Sequence, residues 1–174
     1  MPRPNKRNFK MMSFIHETLY GLFRDPCKAL LAAGLESGQA VLEVGCGPGF
    51  FTIPASKLVG GTGSITALDI NPYAVEHVRR KIEREGAGNA VVIQADAART
   101  NLPGRSFDLI FLFGLPRMIG DPEKIWNEMH RLLKDGGTLS VEGRLRPPGA
   151  LFRPAGRQGS ISRFIKIGEK GKND

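Results

Sequence analysis

The sequence has little cysteine and no long apolar run. Only two cysteines, Cys27 and Cys46, occur among the 174 residues. Two thiols are too few for a disulfide framework or a cysteine-based metal site, so we predict no metal and expect a reducing, cytoplasmic environment. The longest apolar run, residues 109–113, is far shorter than the roughly 20 residues of a membrane-spanning helix. The basic N-terminus is not followed by an apolar segment with a cleavage site, which argues against a secretory signal.

Acidic residues are scarce at both ends of the chain. The net charge is +8, yet residues 11–142 hold 13 basic and 15 acidic residues. Residues 143–174 hold eight Lys and Arg against Glu169 and Asp174. A basic end can attract nucleic acid or an anionic surface, and it can also be a solvated tail. Neither end interleaves aromatics with its basic residues as RNA-binding motifs do, so a nucleic-acid partner is disfavoured.

Helix-start signals recur along the body of the chain. Asp25-Pro26, Asn71-Pro72 and Asp121-Pro122 each place a capping side chain before a proline at the first helical position. Glycines mark the expected ends of these helices, at Gly34, Gly86 and Gly136-Gly137. Between the helices lie five runs rich in β-formers, at residues 40–44, 64–69, 90–94, 107–113 and 138–142.

These strands are apolar at consecutive positions, which is typical of parallel strands covered by helices on both faces. The alternation with helices predicts an α/β fold with a doubly wound, Rossmann-like, mostly parallel sheet in three α/β/α layers. We divide the chain into an N-terminal cap segment (1–24), a core (25–142) and a basic C-terminal extension (143–174). In the extension, residues 143–160 are expected to be irregular and residues 161–167 to form a possible last strand.

A glycine-rich turn follows the first predicted strand. Residues 43–49, Glu-Val-Gly-Cys-Gly-Pro-Gly, separate that strand from the next helix. Doubly wound sheets bind ligands at such turns, although the glycines could also serve only a tight connection. The dinucleotide fingerprint requires a third small residue where this chain has Phe50, and no Gly-Lys-Ser/Thr phosphate loop is present. The turn therefore favours a ligand with an amino-acid moiety lying along the backbone.

Two aspartates follow the second and third predicted strands. Asp69 lies 20 residues after Gly49, where a carboxylate can accept both hydroxyls of a ribose. The carboxylate of Asp96 can accept a hydrogen bond from the exocyclic amino group of a nucleobase, while the next backbone N–H donates one to a ring nitrogen of the same base. Each aspartate has a simpler alternative, as a helix cap for Asp69 or as a loop acid for Asp96.

Taken together, these features resemble the ordered motifs of class I S-adenosylmethionine (SAM)-dependent methyltransferases, in particular the small type related to quinone-biosynthesis enzymes. The resemblance covers residues 26–142 and rests on the glycine turn, Asp69, Ala95-Asp96-Ala97, Phe107-Asp108-Leu109-Ile110 and residues 132–137. It implies SAM as cofactor, with the methionine moiety held at Gly45, Cys46, Gly47 and Gly49 and its amino group oriented by Glu43. It further implies that Asp69 binds the ribose, Ile70 packs on the adenine, Asp96 and Ala97 recognise the adenine, and the backbone at Phe113 faces the sulfonium.

The acceptor and any general base stay open at this point. Catalysis of methyl transfer can consist largely of positioning, and a base is needed only if the acceptor must lose a proton. His16 is the better candidate for the acceptor pocket, whereas His77 and His130 fall inside predicted helices and favour surface or packing roles. Arg117 could bind an anionic acceptor. The pocket is expected to be apolar, with Phe14, Tyr20, Leu115 and Met118.

The C-terminal extension departs most from the family pattern. Class I enzymes usually add a helix and a two-stranded hairpin after the fifth strand, and we expect a shortened version here with a turn at residues 150–152. The partner of the last strand is predicted to be reduced or absent, which would leave a sheet edge for a second subunit to cover and make a homo-oligomer possible.

The leading hypothesis is a methyltransferase with a small-molecule acceptor. The alternatives are a non-catalytic SAM-binding regulatory or partner subunit, an RNA methyltransferase and a nicotinamide-dependent oxidoreductase.

Overall fold

The computed structural model describes residues 25–114 and 121–168. Its helices are α1 (Pro26–Ala32), α2 (Thr52–Val59), α3 (Pro72–Glu85) and α4 (Pro122–Leu132). Its strands are β1 (Ala40–Val44), β2 (Ser64–Asp69), β3 (Ala90–Gln94), β4 (Phe107–Leu112), β5 (Leu133–Glu142), β6 (Phe152–Gln158) and β7 (Ile161–Lys166). None of these helices is long and apolar enough to cross a bilayer.

The predicted helix starts are confirmed. The side chain of Asp25 accepts a hydrogen bond of 2.9 Å from the N–H of Cys27, and Asn71 Oδ1 accepts one of 3.0 Å from the N–H of Tyr73. Each side chain satisfies a backbone donor that the first helical turn leaves unpaired. At the other end of α3, Gly86 adopts a left-handed φ of 62°. Such a backbone favours glycine and ends the helix.

The end of α4 differs from the prediction. The expected stop was Gly136-Gly137, but α4 ends at Leu132 and β5 begins at Leu133. Leu133 has an extended backbone, with ψ of 140°. Leu132 and Leu133 are both fully buried. The apolar sequence pattern therefore does not change where the helix ends and the strand begins, and it could not reveal this boundary.

The seven strands form one sheet in the order β3-β2-β1-β4-β5-β7-β6. Strands β1 to β5 pair in parallel, so their carboxyl ends emerge at one edge. Val44, the last residue of β1, pairs with Leu68 on one side and Leu112 on the other. The strand order reverses between β1 and β4, and such a reversal opens a crevice for ligands outside the carboxyl ends of the strands.

The core has two layers, one on each face of the sheet. Leu42 and Ile110 pack with Trp126 and Met129 of α4 on one face. The neighbouring positions turn to the other face, where Leu109 belongs to a cluster with residues of α1 and α2. Residues of both clusters in β1 and β4 are buried, which explains the consecutive apolar positions and confirms the three-layer α/β/α fold.

The C-terminal extension contains a complete hairpin. Residues 152–158, expected to be irregular, form β6, and β6 pairs with β7 along its length in antiparallel fashion. The prediction that the partner strand is reduced or absent is therefore wrong. The expected turn is present one residue earlier, at 149–151, where the N–H groups of Leu151 and Phe152 donate to the carbonyl of Pro148 at 3.0 and 3.1 Å. Only Phe152 is buried in β6, and an edge strand with one buried residue has no apolar periodicity to detect. With β6 in place, the missing partner that suggested a second subunit is supplied by the chain itself.

Candidate functional site

The glycine turn between β1 and α2 is fixed to the end of β2. The backbone N–H groups of Gly45 and Cys46 donate to the carbonyl of Leu68 at 2.8 and 2.9 Å. Within the turn, the N–H of Gly49 donates to the carbonyl of Cys46 at 2.8 Å. The turn is thus held over the crevice where the strand order reverses.

Gly47 and Gly49 have different surroundings. Both have a left-handed φ, of 50° and 72°. A Cβ on Gly49 would lie 2.9 Å from Cγ2 of Val78 in α3, whereas a Cβ on Gly47 would meet no atom within 4 Å. Gly49 therefore allows α3 to pack closely, while Gly47 faces open space in which a ligand can lie against the backbone.

Asp69, at the end of β2, points at the glycine turn. Its Oδ2 accepts a hydrogen bond of 2.8 Å from the N–H of Gly47, and its Oδ1 accepts one of 2.8 Å from the N–H of Asn71. The cap of α3 is Asn71 itself, so the simpler role considered for Asp69 is taken by its neighbour. Each carboxylate oxygen keeps a further lone pair that can accept from a ligand.

Asp96 and Ile70 lie at the same sheet edge. The N–H of Ala95 donates to the carbonyl of Asp69 at 3.1 Å, which joins the exits of β3 and β2. Asp96 is exposed, and its Oδ1 accepts from the N–H of Ala98 at 2.9 Å. Ala97 is half-buried, and Ile70 is 52% exposed. This edge thus offers an exposed apolar side chain and an exposed carboxylate, a combination suited to the face and polar edge of an aromatic ring.

Glu43 is a buried acid beneath the turn. It is 3% exposed, and its Oε2 accepts a hydrogen bond of 2.6 Å from the hydroxyl of Thr52. Burial raises the pKa of Glu43 to about 8, although the Thr52 hydrogen bond and the nearby Lys81 ammonium lower it. The negative charge of Asp69 also contributes to the high pKa. The side chain is therefore mostly protonated at neutral pH in the ligand-free protein.

Two residues that the sequence analysis missed support the turn. Thr52, in the first turn of α2, holds Glu43. Lys81 of α3 donates to the carbonyl of Gly49 at 3.1 Å. A signal existed for Lys81, because it lies three residues after the buried Val78 and therefore shares the face of α3 that meets the turn.

The side chains of Cys46 and Phe113 face the protein interior. Cys46 packs with Ala67 and Val78, and burial raises the pKa of its thiol. The ring of Phe113 lies edge-on to Phe51, with centroids 5.1 Å apart. The backbone of these two residues is thus the part that could contact a ligand.

The remaining candidates divide into described and undescribed residues. His130 Nε2 lies 2.8 Å from the carbonyl of Ile167, and its ring is edge-on to Phe152, so it has a packing role. His77 lies on α3. The candidates for the acceptor side fall outside the described residues: Phe14, His16, Tyr20, Leu115, Arg117 and Met118.

A family model described as a methyltransferase domain matches residues 41–137. The chain is similar to a ubiquinone/menaquinone biosynthesis C-methyltransferase of Enterobacter sp. (strain 638), with 34% identity over 166 residues, which cover 94% of this chain and 64% of the relative. The corresponding Escherichia coli (O1:K1 / APEC) protein is 37% identical over 133 residues, 75% of this chain and 51% of the relative. The chain thus spans between half and two thirds of the length of these relatives.

The fold is similar to that of solved methyltransferase structures. A SAM-dependent methyltransferase from Aquifex aeolicus superposes with a TM-score of 0.79 at 24% identity, covering 94% of this chain and 99% of the other. A Methanococcus maripaludis structure described as an S-adenosyl-L-methionine-dependent methyltransferase gives a TM-score of 0.71 at 24% identity, covering 82% and 65%. These similarities concern the fold of the chain.

Proposed function

The chain belongs to the family of class I SAM-dependent methyltransferases, and from this premise we propose that it transfers a methyl group from SAM to a small-molecule acceptor. The observation that carries the proposal is the pair of 2.8 Å hydrogen bonds by which Asp69 is oriented between Gly47 and Asn71. This geometry presents an aligned carboxylate beside a glycine backbone that faces open space. A ribose next to an amino-acid moiety matches that combination of groups.

The described residues fit SAM as the cofactor. Gly47 has no atom within 4 Å of the position of a Cβ, so the methionine moiety has room to lie along residues 45–47. Asp69 would accept from the ribose hydroxyls through its remaining lone pairs. Ile70 would cover the adenine face, while Asp96 and the backbone of Ala97 would recognise its polar edge.

The protein's contribution to the reaction is mainly positioning. The bound cofactor supplies a methyl group on a positively charged sulfur, which is already reactive toward a nucleophile. Glu43 would orient the methionine ammonium, and the positive charge of that ammonium would favour the ionised carboxylate. The backbone at Phe113 and Gly114 would line the sulfonium side, where the acceptor must approach in line.

The acceptor is proposed to be a small molecule methylated at carbon. The activity named for the bacterial relatives, C-methylation in ubiquinone and menaquinone biosynthesis, supports this class. A nucleic-acid acceptor is disfavoured, because the segment after β4 lacks the Asn/Asp-Pro-Pro-aromatic motif of enzymes that methylate nucleobase amino groups. We further propose a cytoplasmic protein, on the basis of the free thiols of Cys27 and Cys46.

Two measurements test the proposal. Calorimetry should detect binding of SAM and S-adenosylhomocysteine and no binding of NAD. Binding of NAD without SAM would overturn the cofactor assignment. Incubation with methyl-labelled SAM and fractionated cell extract should then place label in small metabolites. Label in RNA would show that the acceptor is a nucleic acid and not a small molecule. Cofactor binding without any methyl transfer would favour the alternative of a non-catalytic SAM-binding subunit.

A further inference from the structure

A cavity lies near the amino ends of β1 and β4, at the opposite end of these strands from the glycine turn. Its volume is about 440 Å³, within the range of small-molecule sites. Its wall includes Gln39, just before β1, and Asp108, near the start of β4. Since β1 has five residues, it separates this cavity from the glycine turn by about 16 Å. We call it the Arg163 cavity, after the charged residue of β7 that lines it together with Ile165.

The stem of Arg163 lies near Gly34 and its guanidinium lies near Gly156, and no described residue pairs with that guanidinium. Its Cδ lies 3.5 Å from the position that a Cβ on Gly34 would take, and its Nη2 lies 3.4 Å from the same position on Gly156. The Nε–H of Arg163 is buried and has no hydrogen-bond partner within the described ranges. Proteins rarely leave a buried donor unsatisfied, because its hydration is lost without replacement.

The other charges of the cavity determine which ligand would suit it. Lys134 Nζ contacts both carboxylate oxygens of Asp108, at 2.8 and 2.9 Å, and the two charges cancel. Asp135 pairs with Lys166 at 3.3 Å. Among the described residues, the guanidinium of Arg163 and the carboxylate of Glu36 form no ion pair, with each other or with any other group. One positive and one negative group are therefore left on the wall.

We propose that the Arg163 cavity binds a small zwitterion of the α-amino-acid type, with its carboxylate on Arg163 and its ammonium toward Glu36. A guanidinium presents parallel N–H donors that match a carboxylate. A multiply charged anion such as phosphate fits less well, because the cavity also has carboxylates at Glu36, Asp108 and Asp135. A Cβ on Gly136, which lines the cavity, would meet no atom within 4 Å, so this part of the wall leaves room for a ligand.

The experiment uses the full chain labelled with ¹⁵N. Its amide signals, in particular those of Gly136 and Gly137, are followed during titration with the common L-amino acids at millimolar concentration. The same titration is made with their N-acetyl and carboxamide derivatives and with inorganic phosphate. We expect at least one amino acid to shift these signals with saturation, and its N-acetyl and carboxamide derivatives to bind roughly tenfold more weakly or worse, since each lacks one charge.

Three variants assign the groups. Arg163→Gln should weaken binding of the amino acid roughly tenfold or more. Glu36→Gln should remove the preference for the amino acid over its N-acetyl derivative. Arg157→Gln is the matched control, because Arg157 lies on the same hairpin and donates to the carbonyl of Gly159 outside the cavity. It should leave binding unchanged.

Several outcomes would overturn the proposal. These are no saturable shift with any amino acid, equal or tighter binding of phosphate, and unchanged affinity in Arg163→Gln. Coupling between Arg163→Gln and Glu36→Gln in the melting of the ligand-free protein would mean that the two side chains pair with each other instead. If Arg163→Gln fails to fold, Glu36→Gln still tests the proposal, because Glu36 is exposed and its substitution should not disturb the fold.

Discussion

The hydroxyl of Thr52 donates a hydrogen bond of 2.6 Å to Glu43, which is 3% exposed. This contact joins the first turn of α2 to β1 directly beneath the glycine turn. The pKa of Glu43 is about 8, raised first by burial, so the group binds a proton in the folded state at pH values where an unfolded glutamate has lost it. Glu43 thus couples folding to pH.

The first prediction concerns that coupling. The stability that protonated Glu43 contributes is fully present below pH 4.5 and is lost as pH rises through 8, because the folded state holds the extra proton in this window. Glu43→Gln should therefore flatten the fall in unfolding free energy between these pH values. The difference is at most about 5 kcal/mol, since each pKa unit corresponds to about 1.4 kcal/mol. Urea denaturation measured at several pH values tests it.

Two further variants test the assignment of the pH dependence to Glu43: Thr52→Val should change its pKa, and Glu85→Gln is the control. Loss of the Thr52 hydroxyl should raise the pKa of Glu43 further, because that hydrogen bond lowers it. Glu85 is an exposed acid at the end of α3, so Glu85→Gln should keep the wild-type pH profile. A profile for Glu43→Gln that also matches the wild type would show that Glu43 ionises normally in the folded protein.

The second prediction uses Gly47 and Gly49 as a matched pair. Gly49→Ala should destabilise the fold by about 2 kcal/mol or more, since a left-handed alanine is strained and its Cβ would lie 2.9 Å from Val78. Gly47→Ala should cost only about 1–2 kcal/mol, from the backbone strain alone. It should nevertheless weaken SAM binding strongly, because its Cβ would enter the space that we propose for the methionine moiety. Thermal melting and calorimetry separate the two effects, and equal SAM affinity in Gly47→Ala and wild type would contradict the placement of the cofactor.

The third prediction concerns Asp69. Asp69→Ala should weaken SAM binding by about 1–3 kcal/mol, the usual contribution of hydrogen bonds to a charged group. Part of that loss arises because the N–H of Gly47 loses its acceptor. Calorimetry on the folded variant provides the measurement, and an unchanged dissociation constant would refute the ribose role.

The fourth prediction concerns Glu128 of α4. It accepts hydrogen bonds from the N–H and hydroxyl of Thr100, at 2.9 and 2.6 Å, and from Arg131. These bonds, that of Arg131 first, lower the pKa of Glu128 to about 2. The resulting stability is present above pH 4.5 and is lost as pH falls toward 2. Glu128→Gln should cost about 1–3 kcal/mol at neutral pH, and the difference should vanish in acid. Denaturation at both pH values checks this.

The features that depend on neighbouring residues in the sequence could be predicted. Helix starts could be predicted at Asp25, Asn71 and Asp121, because the capping side chain and the proline that follows it are adjacent in the sequence. The glycine turn and Asp69 were also found, because their spacing along the chain is set by one strand-helix-strand unit. The structure brings these residues together at the predicted edge, by the hydrogen bond between Gly47 and Asp69.

Features that arise from contacts distant in sequence could not be predicted in the same way. β6 was missed because Arg153, Pro154 and Gly156 do not form a strand pattern. Its extended conformation depends on pairing with β7. The contact between Lys81 and Gly49 joins residues 32 positions apart. The Nε of Arg163, which has no partner among the described residues, is identified only once the positions of Gly34 near its stem and Gly156 near its guanidinium are known.

The strand order has a consequence for biosynthesis. β6 is made before β7, yet in the sheet of the described strands β7 lies between β6 and β5. In a chain emerging from the ribosome, β6 therefore has no strand to pair with until β7 begins to emerge, and their pairing can start where Gln158 meets Ile161. Until then β5 has an open outer edge, and a nascent chain stalled in the hairpin would expose that edge to chaperones or to other chains.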